Sequence, residues 1–536
     1  MKKRSFLLFI SGLLIPGFVF LSCRKDKATD NGNNNGTQSS TLKEAAAFPV
    51  GVGLDYTYMK NDASYASIVK TEFDNVTFGY LMKHGAIVKD DGTFNYTSTD
   101  ELVNICTAAG LQIYGHTLVW HQNQNASYLK NYAKIFVQNQ TNLLTNPGFE
   151  SGLTDWTQYN AQNGATIATT TVSSEIHTGT TALRVVNPVA NSSGQWKVQE
   201  AGSLMNLTSG KQYMVSYFVK AASSGGSIRL STQDQNNSNA LYQSDQTIGT
   251  SWQQVSWIFT ANASQMRILF DMGLVANTYY IDDVSVGELV TSTNMTEISQ
   301  RLDTAMNNYI SSIVARYQGK VYAWDVVNEA LADNGALRNN TNTNTSATDT
   351  FIWSNYMGKD FALKAFNFAK AADPNVPLFI NDYGLESNPV KTDSLVAYVN
   401  YLRNKGAKID GIGTQMHINI NTTYSGIDQM FVKLAASGLK VKVSELDCRI
   451  NPGDQSVFTP TPALYAQQAT VMKYVVESFI RNVPAAQRFG LTIWGVSDAD
   501  SWIVVSQKKV DYPNLWDSNY QKKAAYNAIY QALKGS

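Results

Sequence analysis

Two glutamates in this chain follow apolar runs that read as buried strands. Val321-Tyr-Ala-Trp-Asp-Val-Val327 leads into Asn328-Glu329, and Leu439-Lys-Val-Lys-Val443 leads into Ser444-Glu445-Leu446-Asp447. Both runs are rich in β-branched residues. In a closed parallel barrel, a carboxylate just past the end of a strand lies at the catalytic face. Two carboxylates brought together there can cleave a glycosidic bond. One protonates the leaving oxygen, and the other attacks the sugar or activates water. A single glutamate after a single strand means much less, because N-caps and surface charges are common there.

The elements around the two runs fit such a barrel. Before residue 141, apolar strands such as Leu111–Trp120 alternate with helical stretches at Ala63–Thr71 and Ser98–Ala109. After residue 290, Ile298, Leu302, Ala305, Met306, Tyr309, Ile310, Ile313 and Val314 recur at spacings of three and four, an amphipathic helix leading to the first glutamate run. The stretch between is rich in Ser, Thr, Asn and Gly. Its strand-like runs are Ala182–Val186, Tyr213–Lys220, Ser227–Ser231, Gln253–Thr260, Met266–Phe270 and Tyr279–Val286, with turn residues between them. That is the pattern of an all-β sandwich set into an α/β chain, after the third barrel strand and before the third helix.

The residues around the glutamates resemble glycoside hydrolase family 10, the endo-xylanase family. Trp324-Asp-Val-Val-Asn-Glu329 is similar to its acid/base motif and Ser444-Glu-Leu-Asp447 to its nucleophile motif. Gly115-His-Thr-Leu-Val-Trp-His121, Phe379-Ile-Asn-Asp-Tyr383, Gly413-Thr-Gln-Met-His417 and Trp494-Gly-Val-Ser-Asp498 match in the family's order. The likeness covers residues 45–135 and 295–536. It implies a (β/α)8 TIM barrel in two parts, 41–140 and 291–536. The interruption at 141–290 resembles jelly-roll carbohydrate-binding modules of families 4, 9 and 22. That likeness rests on Asn142-Leu-Leu-Thr-Asn-Pro-Gly-Phe-Glu150 and Tyr280-Ile-Asp-Asp-Val-Ser-Val286.

By this resemblance Glu329 is the acid/base and Glu445 the nucleophile of a retaining endo-β-1,4-xylanase, with carboxyls ~5–5.5 Å apart. Asn328 would bond the sugar 2-hydroxyl. His417 would touch the nucleophile, with Asp447 holding its ring, and Gln415 would share that face. Lys83 and His116 match hydroxyl-binding positions, and Trp120, Trp494 and Trp502 match walls of the cleft. Asp325 and Asp382 are candidate supports. One stretch departs from the family. Where Glu-Asn-x-Met-Lys-Trp is usual, this chain has Gly79-Tyr-Leu-Met-Lys-His84, which leaves the neighbouring sugar site without its charged grip. In the sandwich, Trp196, Tyr242 and Trp252 are candidates for stacking on sugar rings, with Gln195 or Gln243 as polar support. Trp156 is expected in the core.

At the start, Lys2, Lys3 and Arg4 precede an apolar run from Phe6 to Phe20 that is shorter than the ~20 residues of a membrane span. It suits a signal peptide, residues 1–22. Leu21-Ser22-Cys23 resembles a bacterial lipobox, which implies lipidation at Cys23. Residues 23–40, nearly without apolar side chains, read as a flexible tether. The expected location is the bacterial cell envelope, at the outer membrane or cell surface. Lys plus Arg and Asp plus Glu each number 42, so no basic field points to nucleic acid. Cys106 and Cys448 do not make a disulfide framework, and their pairing stays open. The chemistry calls for no cofactor or metal, and the expected partners are xylan or its oligosaccharides and, through the lipid, a membrane. Two alternatives stand beside this reading. One is the same mechanism on another β-1,4-glycan. The other is a non-catalytic glycan-capturing lipoprotein, which has no use for two facing carboxylates.

Overall fold

A computed structural model describes residues 40–139, 141–192 and 194–536. The expected signal segment, Cys23 and the tether up to residue 39 lie outside the described residues. Strands β1 (Val50–Leu54), β2 (Asn75–Phe78), β3 (Gln112–Gly115), β4 (Val321–Asn328), β5 (Leu378–Asp382), β6 (Gly411–Thr414), β7 (Lys440–Arg449) and β8 (Arg488–Ile493) run parallel. Because β1 pairs with both β2 and β8, the sheet closes on itself in chain order. This closed eight-stranded parallel barrel is the α/β architecture expected from the sequence.

Alternation along each strand separates two environments. Val50, Val52, Ile380, Ile412, Val441 and Val443 point outward into the layer shared with the helices. The amphipathic helix Met295–Arg316 buries the eight apolar residues read from its spacing. Inward-facing Tyr114, Phe379 and the less buried Phe489 plug the N-terminal part of the barrel. Above them lies a polar layer. Asp325 accepts from the Tyr114 hydroxyl at 2.7 Å and lies 2.9 Å from His116 Nδ1. The Lys442 ammonium sits 4.3 Å over the Tyr114 ring. Room for the bulky inward side chains of β5 comes from β6. A Cβ on Gly411 would lie 2.0 Å from Phe379, and one on Gly413 would lie 2.3 Å from Asn381 Oδ1.

Two features differ from the sequence expectation. The third strand pairs regularly only as far as Gly115. Beyond it, Leu118 and Val119 still donate to the Asp325 and Val326 carbonyls, and a short helix, Ala126–Tyr132, precedes the inserted segment. Strand β7 does not stop at Val443 but runs through Glu445 to Arg449. A short strand, His417–Asn419, pairs with Asp447–Arg449 and extends it. Cys106 and Cys448 are both buried free thiols.

Between Phe136 and Thr291 the chain forms two antiparallel sheets. One contains Gln253–Thr260, Gln212–Ala221, Asn277–Thr291, Ala182–Asn187 and Thr166–Thr170. The other contains Leu241–Tyr242, Gly226–Asp234, Gln265–Asp271, Val198–Gly202 and Trp156–Ala161. Their inner faces share a core that includes Val215, Tyr217, Ile228, Leu230, Ile268, Phe270 and Ile281, distinct from the barrel's core. Trp156 is buried there against Phe149 and Phe270. Strand Phe136–Gln138 pairs antiparallel with Leu289–Thr291, and Ser292 N donates to the Ile135 carbonyl at 2.8 Å. The entering and leaving chains are thus hydrogen-bonded to each other.

The barrel interior leaves no space for a methyl group on β6. Gly411→Ala should lower stability by ~1–3 kcal/mol, the usual cost of overpacking, as read by denaturant unfolding. An unchanged midpoint would mean that Phe379 can move aside freely.

Candidate active site

The C-terminal ends of the barrel strands open into a cleft of about 1340 Å³. It is lined by Lys83, His116, Trp120, Asn328, Glu329, Gln415, His417, Glu445, Trp494 and Trp502, so every cleft candidate from the sequence is brought together there. Asp447 lies behind them, fully buried.

The two glutamates reach the cleft by different backbone devices. Glu329 follows the last residue of β4 and has φ +54°, a left-handed conformation uncommon for a residue with a side chain. Its N–H donates to the Asn381 carbonyl at 2.8 Å. Glu445 lies within β7, where the pairing with β8 slips between Val443 and Leu446. Such a bulge bends a strand and re-aims its side chains. Here both Ser444 and Glu445 meet Asn381: Ser444 Oγ donates to Asn381 Oδ1 at 2.7 Å, and Asn381 Nδ2 donates to Glu445 Oε1 at 2.7 Å.

Asn381 Nδ2 also donates to Asn328 Oδ1 at 2.9 Å. Gln415 Nε2 donates to Glu329 Oε1 at 3.1 Å and approaches Asn328 Oδ1 at 3.3 Å. His417 stands between two carboxylates, with Nε2 3.3 Å from Glu445 Oε2 and Nδ1 2.9 Å from Asp447 Oδ2. Trp502 Nε1 donates to the same Asp447 oxygen at 2.8 Å. The Lys83 ammonium lies 4.5 Å over the Trp120 ring.

Burial by itself would raise the Glu445 carboxyl. The hydrogen bond from His417 and the attraction of His116, His417 and Lys83 outweigh it and hold the group at about 2. Burial by itself would lower His417, but the charge and hydrogen bond of Asp447, joined by Glu445, lift it to about 10. Near neutral pH, then, an imidazolium lies between two carboxylates. Burial brings Lys83 down to about 8, although Glu445 and Glu329 pull the other way. Burial raises Asp382 to about 6 against the opposing charge of Lys391, 2.8 Å away.

Three residues at the site carry no role in the sequence reading. Asn381 and His121 lie inside motifs quoted above, and their presence there was the available signal. His121 Nδ1 is 3.8 Å from Glu329 Oε2, and burial, with Arg338 and Lys391 nearby, lowers the ring to about 3. Arg338 lies in the loop after β4, outside every motif, and its Nη2 is 3.9 Å from Glu329 Oε2. His84, at the departure from the family pattern, faces the helices and not the cleft. It accepts from Asn125 N at 3.0 Å and packs edge-on against Tyr309.

The sandwich candidates divide between the two sheets. Tyr242 and Trp196 are 60% and 47% exposed. Tyr242 belongs to the sheet containing Gly226–Asp234, and Trp196 lies in the turn entering Val198–Gly202 of that sheet. Gln195 bonds Asp245 at 3.2 Å. Trp252 lies by the other sheet, 5.3 Å from the His177 ring and 5.1 Å from the Lys220 ammonium. Gln243 is buried, with its amide committed to Leu230 N and the Ser256 carbonyl, so it is structural and not free to hold a ligand. Among the described residues no group of three or more His, Cys, Asp or Glu is placed to hold a metal ion.

A closed parallel barrel with two carboxylates in a deep cleft at the C-terminal ends of its strands is the framework of a sugar-cleaving enzyme. The chain belongs to glycosyl hydrolase family 10, whose model matches residues 39–254 and 285–532. It is 35% identical over 240 residues to endo-1,4-beta-xylanase A of Cellvibrio japonicus (strain Ueda107), covering 42% of this chain and 39% of that protein. It is 38% identical over 239 residues to exoglucanase XynX of Acetivibrio thermocellus, covering 44% of this chain and 20% of that one. Both matches therefore span well under half of those relatives. The fold is similar to the solved structure of GH10 from Paenibacillus barcinonensis, with a TM-score of 0.56 and 21% identity over 92% of this chain and 97% of that one.

The charge arrangement fixes a stability signature. A histidine raised from 6.5 to about 10 stabilises the fold fully below 6.5 and loses that contribution as pH rises through 10. A glutamate lowered from 4.5 to about 2 contributes above 4.5 and loses it as pH falls through 2. The melting-temperature gap between wild type and His417→Gln should therefore be widest between pH 4.5 and 6.5 and shrink toward pH 10. A gap independent of pH in calorimetry would show that His417 stabilises by packing alone.

Proposed function

We propose that this protein is a retaining endo-β-1,4-xylanase that cuts internal bonds of xylan by double displacement. The observation that carries the reading is the placement of Glu329 and Glu445 in one cleft, joined through Asn381, Asn328 and Gln415. In the first step Glu445 attacks the anomeric carbon while Glu329 gives its proton to the departing oxygen. The glycosidic bond breaks and a glycosyl ester on Glu445 forms. In the second step Glu329, now a carboxylate, takes a proton from water, whose oxygen attacks the same carbon and releases Glu445. A carboxylate held low by His417 is present as the anion that the first step needs. On this reading Asn328 would bond the 2-hydroxyl, and Lys83, His116 and the three tryptophans would hold the sugar.

The Gly79-Tyr80 stretch supports room for a decorated xylose. A Cβ on Gly79 would meet only the Leu54 carbonyl, at 3.5 Å, and the Tyr80 side chain is half exposed along the cleft. The sandwich would be a jelly-roll glycan-binding module. The outer face of its Gly226–Asp234 sheet supports this. There Asp271 accepts from Arg229 at 2.7 Å and Gln199 at 2.7 Å, and the Arg229 guanidinium lies 4.5 Å under the Tyr242 ring. This pre-set polar group beside the exposed Tyr242 ring suits a pyranose with its hydroxyls and apolar face. Cys23 would carry a lipid that anchors the enzyme in the bacterial envelope, at the outer membrane or cell surface.

Chromatography of products from arabinoxylan, glucuronoxylan and β-glucan tests the activity. The protein from residue 40 onward should release xylo-oligosaccharides, some of them branched, and Glu445→Ala should lose activity by about 10⁴-fold or more. Release from β-glucan alone would move the substrate to a β-1,4-glucan, as the exoglucanase relative suggests. Binding to insoluble xylan tests the module in a Glu445→Ala background. Trp196→Ala and Tyr242→Ala should each weaken retention about tenfold, as the loss of one stacking contact implies, and Trp252→Ala should not. Equal retention in all three would remove the assigned face.

A further inference from the structure

Arg338 lies outside every motif and is 7% exposed. Its guanidinium cannot swing. Nε donates to the Glu329 carbonyl at 3.0 Å, and Nη2 donates to the Leu331 carbonyl at 2.9 Å and lies 3.2 Å from the Tyr383 hydroxyl. The same Nη2 is 3.9 Å from Glu329 Oε2. A guanidinium stays charged at any working pH. The chain thus sets a fixed positive charge beside a carboxyl that must lose and regain a proton in every turnover.

The other groups facing Glu329 do not supply that charge. His121, at 3.8 Å, is held neutral by burial and by the nearby cations. Asp382 and Glu445 are acidic, and Tyr383 is a neutral phenol. Lys83 is shared between Glu329 and Glu445, and Lys391 is paired with Asp382. Among the described residues, the cation in ion-pair range of the Glu329 carboxylate is Arg338.

We infer that Arg338 is a positioning residue that favours the ionised form of Glu329, supporting the second step, in which Glu329 removes a proton from water. The inference rests on the double-displacement reading above. In the first step the charge of the Glu445 carboxylate in the same cleft opposes that of Arg338. Once Glu445 is esterified its charge is gone, and the field of Arg338 acts unopposed when the base is needed. The same side chain ties the Glu329 carbonyl to the loop and holds the left-handed turn that aims the carboxyl.

Removing the charge should make Glu329 hold its proton to higher pH. An opposite charge at this range is worth about one pH unit or more. In Arg338→Met, the alkaline limb of kcat/KM on xylan should therefore move up by about one unit. On dinitrophenyl xylobioside the leaving group needs no proton and the second step limits the rate. There the acidic limb of kcat should move up by the same amount, a roughly tenfold loss on that limb. Arg338→Lys should return both limbs toward wild type. Arg338→Gln, neutral but still able to donate to a carbonyl, repeats the test should the methionine variant prove unfolded by circular dichroism. A folded neutral variant with wild-type limbs and only a lower melting temperature would overturn the inference. A wild-type protein inactive on both substrates would instead overturn the double-displacement reading.

Discussion

The Asn381 carboxamide joins the two halves of the site. An amide side chain offers two donor hydrogens on nitrogen and one acceptor oxygen. Asn381 commits the nitrogen to Asn328 on β4 and Glu445 on β7, and the oxygen to Ser444 on β7. Its backbone carbonyl receives the Glu329 N–H. One residue of β5 thereby fixes the positions of both carboxylates. This works only because Gly413 leaves space beside it on β6, and because β7 bulges where the hydroxyl and carboxyl must both face inward. Buried networks of this kind hold position well when every member is satisfied.

The two glutamates then differ in their surroundings and not in their chemistry. Glu445 is buried among donors that favour its anion, and the Asp447–His417 pair behind it carries a proton at neutral pH. Glu329 sits at the rim, with one hydrogen bond from Gln415 and a guanidinium farther off. On the double-displacement reading, unlike environments are what would divide acid and nucleophile roles between two like residues.

Much of this was legible in the sequence. Apolar runs with alternating helices announced a barrel, and the turn-rich middle announced a sandwich. That Glu329, Glu445, Asn328 and His417 would share one cleft was readable because family motifs surround them. What escaped notice has a physical reason. Asn381 looks like any asparagine until the register of three strands places it against Asn328, Ser444 and the Glu445 carboxylate. Arg338 lies in a loop of Asn and Thr with no periodicity, so nothing local marks it. The extension of β7 past Glu445 depends on a partner strand, His417–Asn419, that is distant in sequence. In the sandwich, Trp196, Tyr242 and Trp252 looked alike as aromatics, and only sheet membership separates them.

The pairing of Phe136–Gln138 with Leu289–Thr291 bears on how the molecule is assembled. Strands β3 and β4 must meet for the barrel to close, yet a whole sandwich lies between them in the chain. As a slack tether, that segment would add loop-closure entropy at ~0.6 kcal/mol for each doubling of its length. If it folds first, with its ends stitched together, it presents Ile135 and Ser292 as near neighbours, and only the helices Ala126–Tyr132 and Met295–Arg316 with their connections remain to be closed between β3 and β4. The stitched ends make the insert a short connection for the barrel in place of a long one.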